Sequence, residues 1–230
     1  MDVNGVLQQS LDTLVPSTDP TVIAGYKAIY QATADQILPT RSGQVELLFS
    51  LTGTAVGGAD SIAIQAALQH PYSQGHLWIN TTDPFADPVI DPAYLSHPAG
   101  EFSLTLLIDA CDGNSVDHLD VVLLREGLKL ARTLGSTQPL NGTIASEISP
   151  GSNVVTDAEW DAWIPGVIGT EYHPSCTCAM LPLGLGGVVD PNLKLYGTAN
   201  VRVADSSVFP IQFAAHVRIC SLQPLRRLRS

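Results

Sequence analysis

The chain has 230 residues, 45% of them hydrophobic and 14% charged, with a formal net charge of −11. This length makes one large domain or two small ones and can bury a sizeable core. The acidic balance argues against nucleic acid or an anionic membrane as partner, because both select basic surfaces.

No apolar run approaches a membrane span. The opening Met1-Asp2-Val3-Asn4-Gly5 has neither a basic nor an apolar leader region, so no secretion signal is read and the compartment is left open. Four cysteines are too few for a disulfide scaffold at this length. Asn80-Thr81-Thr82 and Asn141-Gly142-Thr143 fit the glycosylation sequon, a triplet that is common by chance.

Residues 1–39 read as helical. Leu7, Leu11, Leu14 and Val15 share one face, as do Ile23, Tyr26, Ile29 and Tyr30. Pro16 and Pro20 are expected to separate two helices, and Pro39 to stop the second. Gln44 to Thr52 reads as a strand, and the apolar Ser61 to Leu68 as strand or helix. His70 to Ile79 resembles a hairpin, with a polar turn at Gly75 feeding a strand. Asp83-Pro84, Asp87-Pro88 and Asp91-Pro92 impose an extended, turn-rich course. Asp120 to Leu134 is the strongest helical pattern. Val121, Leu124, Leu128 and Ala131 lie on one face, Arg125, Glu126 and Lys129 lie outside it, and Gly135 is placed to cap it. Residues 136–156 read as loop, and Asp157 as the N-cap of a short helix through Trp160 and Trp163, ended by Pro165 and Gly166. Helices, then strands, then helices favour an α+β fold with an antiparallel sheet. No Gly-x-Gly-x-x-Gly opens a helix after a strand.

Most of the chemistry lies between Tyr172 and His216. His173 and His216 sit beside small or turn-forming residues, where their rings can face a cavity. Two imidazoles at one pocket are suited to proton abstraction near neutral pH. The plainer alternative is two hydrogen-bonded structural histidines. A third reading groups His173, Cys176, Cys178 and His216 as metal ligands. The spacing matches structural zinc patterns poorly, and cysteine is often buried simply as a small apolar group, so no metal is expected. Arg202 and Asp205 could touch a ligand or form an ordinary ion pair.

The run Tyr172-His173-Pro174-Ser175-Cys176-Thr177-Cys178-Ala179-Met180, the segment Gly186 to Gly197 and the segment Asn200 to Pro210 resemble the C-terminal signature of the glucose–methanol–choline (GMC) oxidoreductases. They are most similar to the fungal branch that holds aryl-alcohol oxidase, glucose oxidase and versicolorin B synthase. His70 to Gly75 and Asp91 to Leu95 resemble the same family's substrate domain. The resemblance implies an antiparallel sheet with packed helices over residues 40–165, and a return toward a flavin domain over 166–216. It implies FAD as cofactor and a small alcohol or sugar as substrate. It makes His173 the base and His216 its partner, and puts Asp205, Ser206 and Val208 beside the cofactor. It leaves the oligomeric state and the electron acceptor open.

Three departures accompany it. The family's glycine-rich dinucleotide half is not in this sequence, so the isolated chain is expected to be inactive. Residues 100–116 interrupt a segment that the family runs straight through, and are read as an insertion of the kind a retained intron produces. The match stops after His216, and residues 217–230 are read as a tail foreign to the family.

Overall fold

In the computed structural model, residues 15, 17–37, 40–51, 61–97, 119–214, 216 and 217 are described. Helix α1 spans Pro20–Ala32 and is started by Asp19, whose carboxylate accepts the Thr21 backbone N–H at 2.7 Å. Pro20 therefore opens this helix. A proline suits the first turn, where its missing N–H has no intrahelical partner to lose. The helix expected before it, and the stop expected at Pro39, lie outside the described residues. After Ala32 the chain widens into a π-helical turn, Thr33–Ile37.

Strands β1 (Val45–Ser50) and β2 (Ala63–Leu68) pair antiparallel, with Val45 opposite Leu68 and Ser50 opposite Ala63. The ambiguous apolar run is thus a strand. Strand β3 (His76–Trp78) pairs antiparallel with β4 (Val89–Asp91). This differs from the hairpin expected at Gly75, because the partner of β3 comes from the Asp-Pro segment downstream. The corner before β3 is held instead by the buried Asp120, which accepts the backbone N–H groups of Tyr72 and Ser73 at 2.8 Å each. Around it Tyr30 donates its hydroxyl to the Tyr72 carbonyl at 2.8 Å and stacks on the Tyr72 ring, tying α1 to the corner.

Helix α2 (Leu119–Gly135) lies on the β1–β2 hairpin. A Cβ at Gly127 would stand 2.7 Å from Val45 Cγ1, so any larger residue here would push the Val45 side chain aside. Val121 and Leu124 are buried with Ile164, and Leu128 and Trp163 pack beside them. Gly135 is the last residue of α2 rather than a cap beyond it. Residues 136–156 form a loop with one 3₁₀ turn, Leu140–Gly142. Helix α3 (Asp157–Trp163) is capped by Thr156, one residue before the expected cap. The reason is a reciprocal capping box: Thr156 accepts the Glu159 N–H, and Glu159 accepts the N–H of Thr156 at 2.8 Å. Pro165 and Gly166 then tighten the chain into a 3₁₀ turn, Ile164–Gly166.

One expectation for α2 fails. Arg125, placed on the outer face by its spacing, is 1% exposed. Helix α3 packs across that face, and Asp161 meets Arg125 Nη1 at 2.6 Å. Lys129 completes the link, donating to Glu126 and Asp157 at 2.7 Å each. Burial pulls the Lys129 ammonium down, but these two carboxylates outweigh it and hold its pKa above the ordinary value.

The C-terminal third has little regular structure beyond the 3₁₀ turns Leu183–Leu185 and Ser206–Val208. Its core is Val189, Leu193 and Val208, with Met180, Val203 and Phe209 around them. It docks on α1 through glycines. A Cβ at Gly25 would stand 2.1 Å from the Leu185 carbonyl oxygen, and Gly186 adopts φ +68° against Val22. Helices with two small antiparallel sheets agree with the α+β expectation. No described helix is long and apolar enough to cross a membrane.

Candidate active site

His173 and His216 lie 43 residues apart in sequence and meet in space. His173 Nε2 contacts His216 Nδ1, and the two rings stand edge to face with centroids 4.6 Å apart. The segment around the first histidine is neither helix nor strand. Tyr172 and Cys176 take φ +63° and +71°. A left-handed conformation costs a non-glycine residue on the order of 1 kcal/mol, and such strain gathers at functional sites.

Three links hold this bend. Ser206 Oγ donates to the Pro174 carbonyl at 3.0 Å. The Ser175 hydroxyl donates to the Gln212 side-chain carbonyl. Backbone N–H groups of Cys178 and Met180 donate to the Ser207 and Val208 carbonyls at 2.8 Å each. The 206–208 turn is thus the ledge on which the His173 segment rests, and the chain runs on from it to His216.

The pair is flanked by two carboxylates that the sequence reading did not single out. Glu46, on β1, places Oε1 3.3 Å from His216 Nε2. Glu171 reaches toward both rings: one ligand-capable atom from each of Glu171, His173 and His216 falls within 4.8 Å of the others. Gln69 Nε2, one residue past β2, donates to Glu171 Oε2 at 3.4 Å. The available signals were an acidic residue inside an apolar strand for Glu46, and an i, i+2 spacing to His173 for Glu171. With Glu46 at Nε2, the His216 tautomer carrying its hydrogen on Nε2 is favoured, which leaves the Nδ1 lone pair facing His173.

Asp205 accepts the Ser207 N–H at 2.9 Å and caps the 206–208 turn. Ser206 is tied to Pro174. Val208 is 1% exposed and packs on Val189 and Leu193. Arg202 donates to the Asn192 carbonyl rather than pairing with Asp205. Cys176 and Cys178 are free thiols, and among the described residues neither joins His173 and His216 in a cluster of ligand atoms. Burial pushes the Cys176 thiol up, partly offset by the Ser175 hydroxyl. His70 is buried, and its Nε2 lies 3.3 Å from Ser42 Oγ.

The comparisons agree with this architecture. A family profile described as GMC oxidoreductase matches residues 71–221. A GMC oxidoreductase family protein of Malassezia sympodialis, Mala s 12, is 45% identical over 201 residues, covering 87% of this chain and 28% of its own length. A glucose oxidase of Aspergillus carbonarius is 30% identical over 151 residues, covering 64% of this chain and 22% of its own. Among solved structures, an FAD-dependent oxidoreductase from Chaetomium thermophilum superposes with TM-score 0.75 at 26% identity, over 98% of this chain and 34% of that one. A fungal aryl-alcohol oxidase gives 0.72 at 26%, over 96% and 34%. The chain thus spans less than a third of the curated relatives it matches. By the profile, by these relatives and by this fold, the chain belongs to the GMC oxidoreductase family.

Proposed function

We propose that this chain supplies the substrate wall and the base of an FAD-dependent oxidation at a CH–OH group of an alcohol or sugar. The single observation behind this reading is the contact between His173 Nε2 and His216 Nδ1, backed by Glu46. The donor set fits a site where a base works beside a hydride acceptor: two imidazoles on an accessible surface, with a carboxylate at the far nitrogen of one. Bound FAD would supply the acceptor for the hydride leaving the alcohol carbon.

His173 takes the hydroxyl proton at a ring nitrogen, and His216 orients the hydroxyl across from it. For that the two rings must part far enough to admit an oxygen between them. Glu46 fixes the orientation of His216 during the opening. Ser206, Asp205 and Val208 act through the turn they form: Asp205 caps it, Val208 anchors it in the core, and its outer face is the part offered to the cofactor. We take residues 40–165 as the substrate-binding part and 166–216 as the return to the flavin-binding part.

Replacing His173 by alanine in a flavin-loaded polypeptide that contains this chain should slow anaerobic flavin reduction by substrate by at least about 100-fold, the low end for loss of a general base. Reduction at the parental rate would refute the role. The sequence has no Gly-x-Gly-x-x-Gly turn, and this favours a second reading in which the isolated chain is a non-catalytic product. Incubation with FAD and removal of the excess separates the two for the chain alone. A retained, shifted flavin band would mean it holds cofactor unaided, and a colourless protein would mean it needs a partner half.

A further inference from the structure

We propose that the substrate is an uncharged polyhydroxylated alcohol of the sugar class, selected by Gln44 and Glu171, an inference that rests on the oxidation assigned above to His173 and His216. The β1–β2 hairpin has two unlike faces, because alternate residues of a strand point to opposite sides. Helix α2 covers the side of Val45 and Ala66, where a Cβ at Gly127 would meet both. Glu46 points the other way and stands 3.3 Å from His216. The ladder runs one step past the strands, since the Gln69 N–H donates to the Gln44 carbonyl at 3.0 Å. Gln44, two residues before Glu46, shares its side, and Gln69 lies across from Gln44. Gln69 is buried, and its Nε2 donates to Glu171 Oε2 at 3.4 Å. Gln44, Glu46, Gln69 and Glu171 thus form a polar wall on the histidine side of the hairpin.

Two acceptors of this wall have no donor. Gln44 Nε2 donates to the Ser42 carbonyl at 3.2 Å. A carbonyl only accepts, so this bond fixes the other end of the amide as oxygen. Gln44 Oε1 and Glu171 Oε1 are both buried atoms, and neither accepts a hydrogen bond among the described residues. A buried acceptor left without a donor is costly. Substrate hydroxyls supply the donors, whereas an aromatic ring or alkyl chain leaves both oxygens stranded. The two acceptors also differ in reach. A carboxylate oxygen of Glu171 lies within 4.8 Å of a ring nitrogen of each histidine, which suits a hydroxyl on the carbon beside the one oxidised. Gln44 stands about 7 Å along the strand from Glu46, a span that a six-membered sugar ring bridges from one hydroxyl to the opposite one. Two acidic side chains at the pair also work against a sugar acid, whose carboxylate they would repel.

The test is anaerobic flavin reduction in a flavin-loaded polypeptide that contains this chain, with D-glucose, D-galactose and D-xylose set against benzyl alcohol and cyclohexanol. Cyclohexanol is the ring-sized alcohol with a single hydroxyl. The expected kcat/KM for the best sugar exceeds that for either monohydroxy alcohol by at least about 100-fold, since a site built to bond a substrate hydroxyl rejects the analogue that lacks it. Gln44→Leu and Glu171→Leu should each cut the sugar-to-cyclohexanol ratio by about 10-fold, through KM for the sugar, as one hydrogen bond is lost. A merely structural role would lower both substrates together and leave the ratio in place. Should one variant fail to load flavin, the other and the parental ratio still decide. A parent that prefers benzyl alcohol or cyclohexanol, or a ratio that neither variant moves, would overturn the assignment while leaving the oxidation itself intact. A parent reduced by none of the five alcohols would refute the oxidation and this inference with it.

Discussion

The two helices α2 and α3 and the 171–217 segment keep their shapes by opposite means. The helical part uses long-range polar anchors, of which Asp120 and Arg125 are buried. Asp120 fixes the Tyr72–Ser73 backbone, Arg125 joins α2 to α3, and Arg132 lies over the Trp160 ring at 4.3 Å while donating to the Val154 carbonyl at 2.6 Å. The C-terminal segment has few such anchors. It is shaped by backbone-to-backbone bonds such as Val188 N–H to the Ala179 carbonyl, by left-handed residues and by glycines that let carbonyls approach. The difference teaches where tolerance lies. The helical part should be sensitive to side-chain truncation, and the C-terminal segment to side-chain addition.

The sharpest way to break this contrast is Asp120→Ala. It strands one buried and one part-buried N–H donor and removes a charged acceptor, so urea denaturation should show a loss of about 3 kcal/mol, from two charge-assisted bonds at roughly 1.5 kcal/mol each. A loss below about 1 kcal/mol would mean water replaces the carboxylate, and the anchor argument would fail. Gly25→Ala tests the other side with an addition. The new methyl would sit 2.1 Å from the Leu185 carbonyl oxygen, so α1 must shift off the 183–185 turn. The expected cost is about 2 kcal/mol, within the overpacking range, although alanine is the better helix former by about 1 kcal/mol. A stabilised variant would show that this docking is loose.

The sequence made these two regions legible to different degrees. Periodicity placed α2 within a residue at each end, because Val121, Leu124 and Ala131 are buried as their spacing predicts. It misplaced Arg125, because a spacing rule sees one helix and not the second helix laid across it. It missed the β3–β4 pairing, because a Gly-containing turn gives no information on which strand lies alongside. Within the site, His173 and His216 were identified by resemblance and found in contact. Glu46 and Glu171 reach the pair through tertiary packing, which no local pattern encodes. Cys176 and Cys178 follow His173 closely in sequence, yet among the described residues they do not join it and His216 in a cluster of ligand atoms.

The smallest expected effect concerns His70, the residue after the Gln69 that donates to Glu171. His70 is 6% exposed, and burial holds its ring below the ordinary value of 6.5, with the nearby Gln212 carbonyl opposing. The sign follows from linkage. The unfolded chain takes up the His70 proton at about pH 6.5, the ordinary imidazole value, and the folded chain only at lower pH. Between those two points the unfolded state binds more protons, so stability falls as pH drops below about 6.5 and is fully regained above it. The carboxylates held below their usual range, Asp157 by Lys129 and Glu159 by the Thr156 backbone, lose their contributions only further down, from ordinary values of 3.8 and 4.5. The interval from pH 5 to 7 therefore isolates His70 from them. In His70→Gln, the decline in urea midpoint across that interval should be shallower than in the parent, while the midpoint at pH 7.5 changes little. An equal slope in both proteins would place the His70 ring in water, against the burial that this structure gives it.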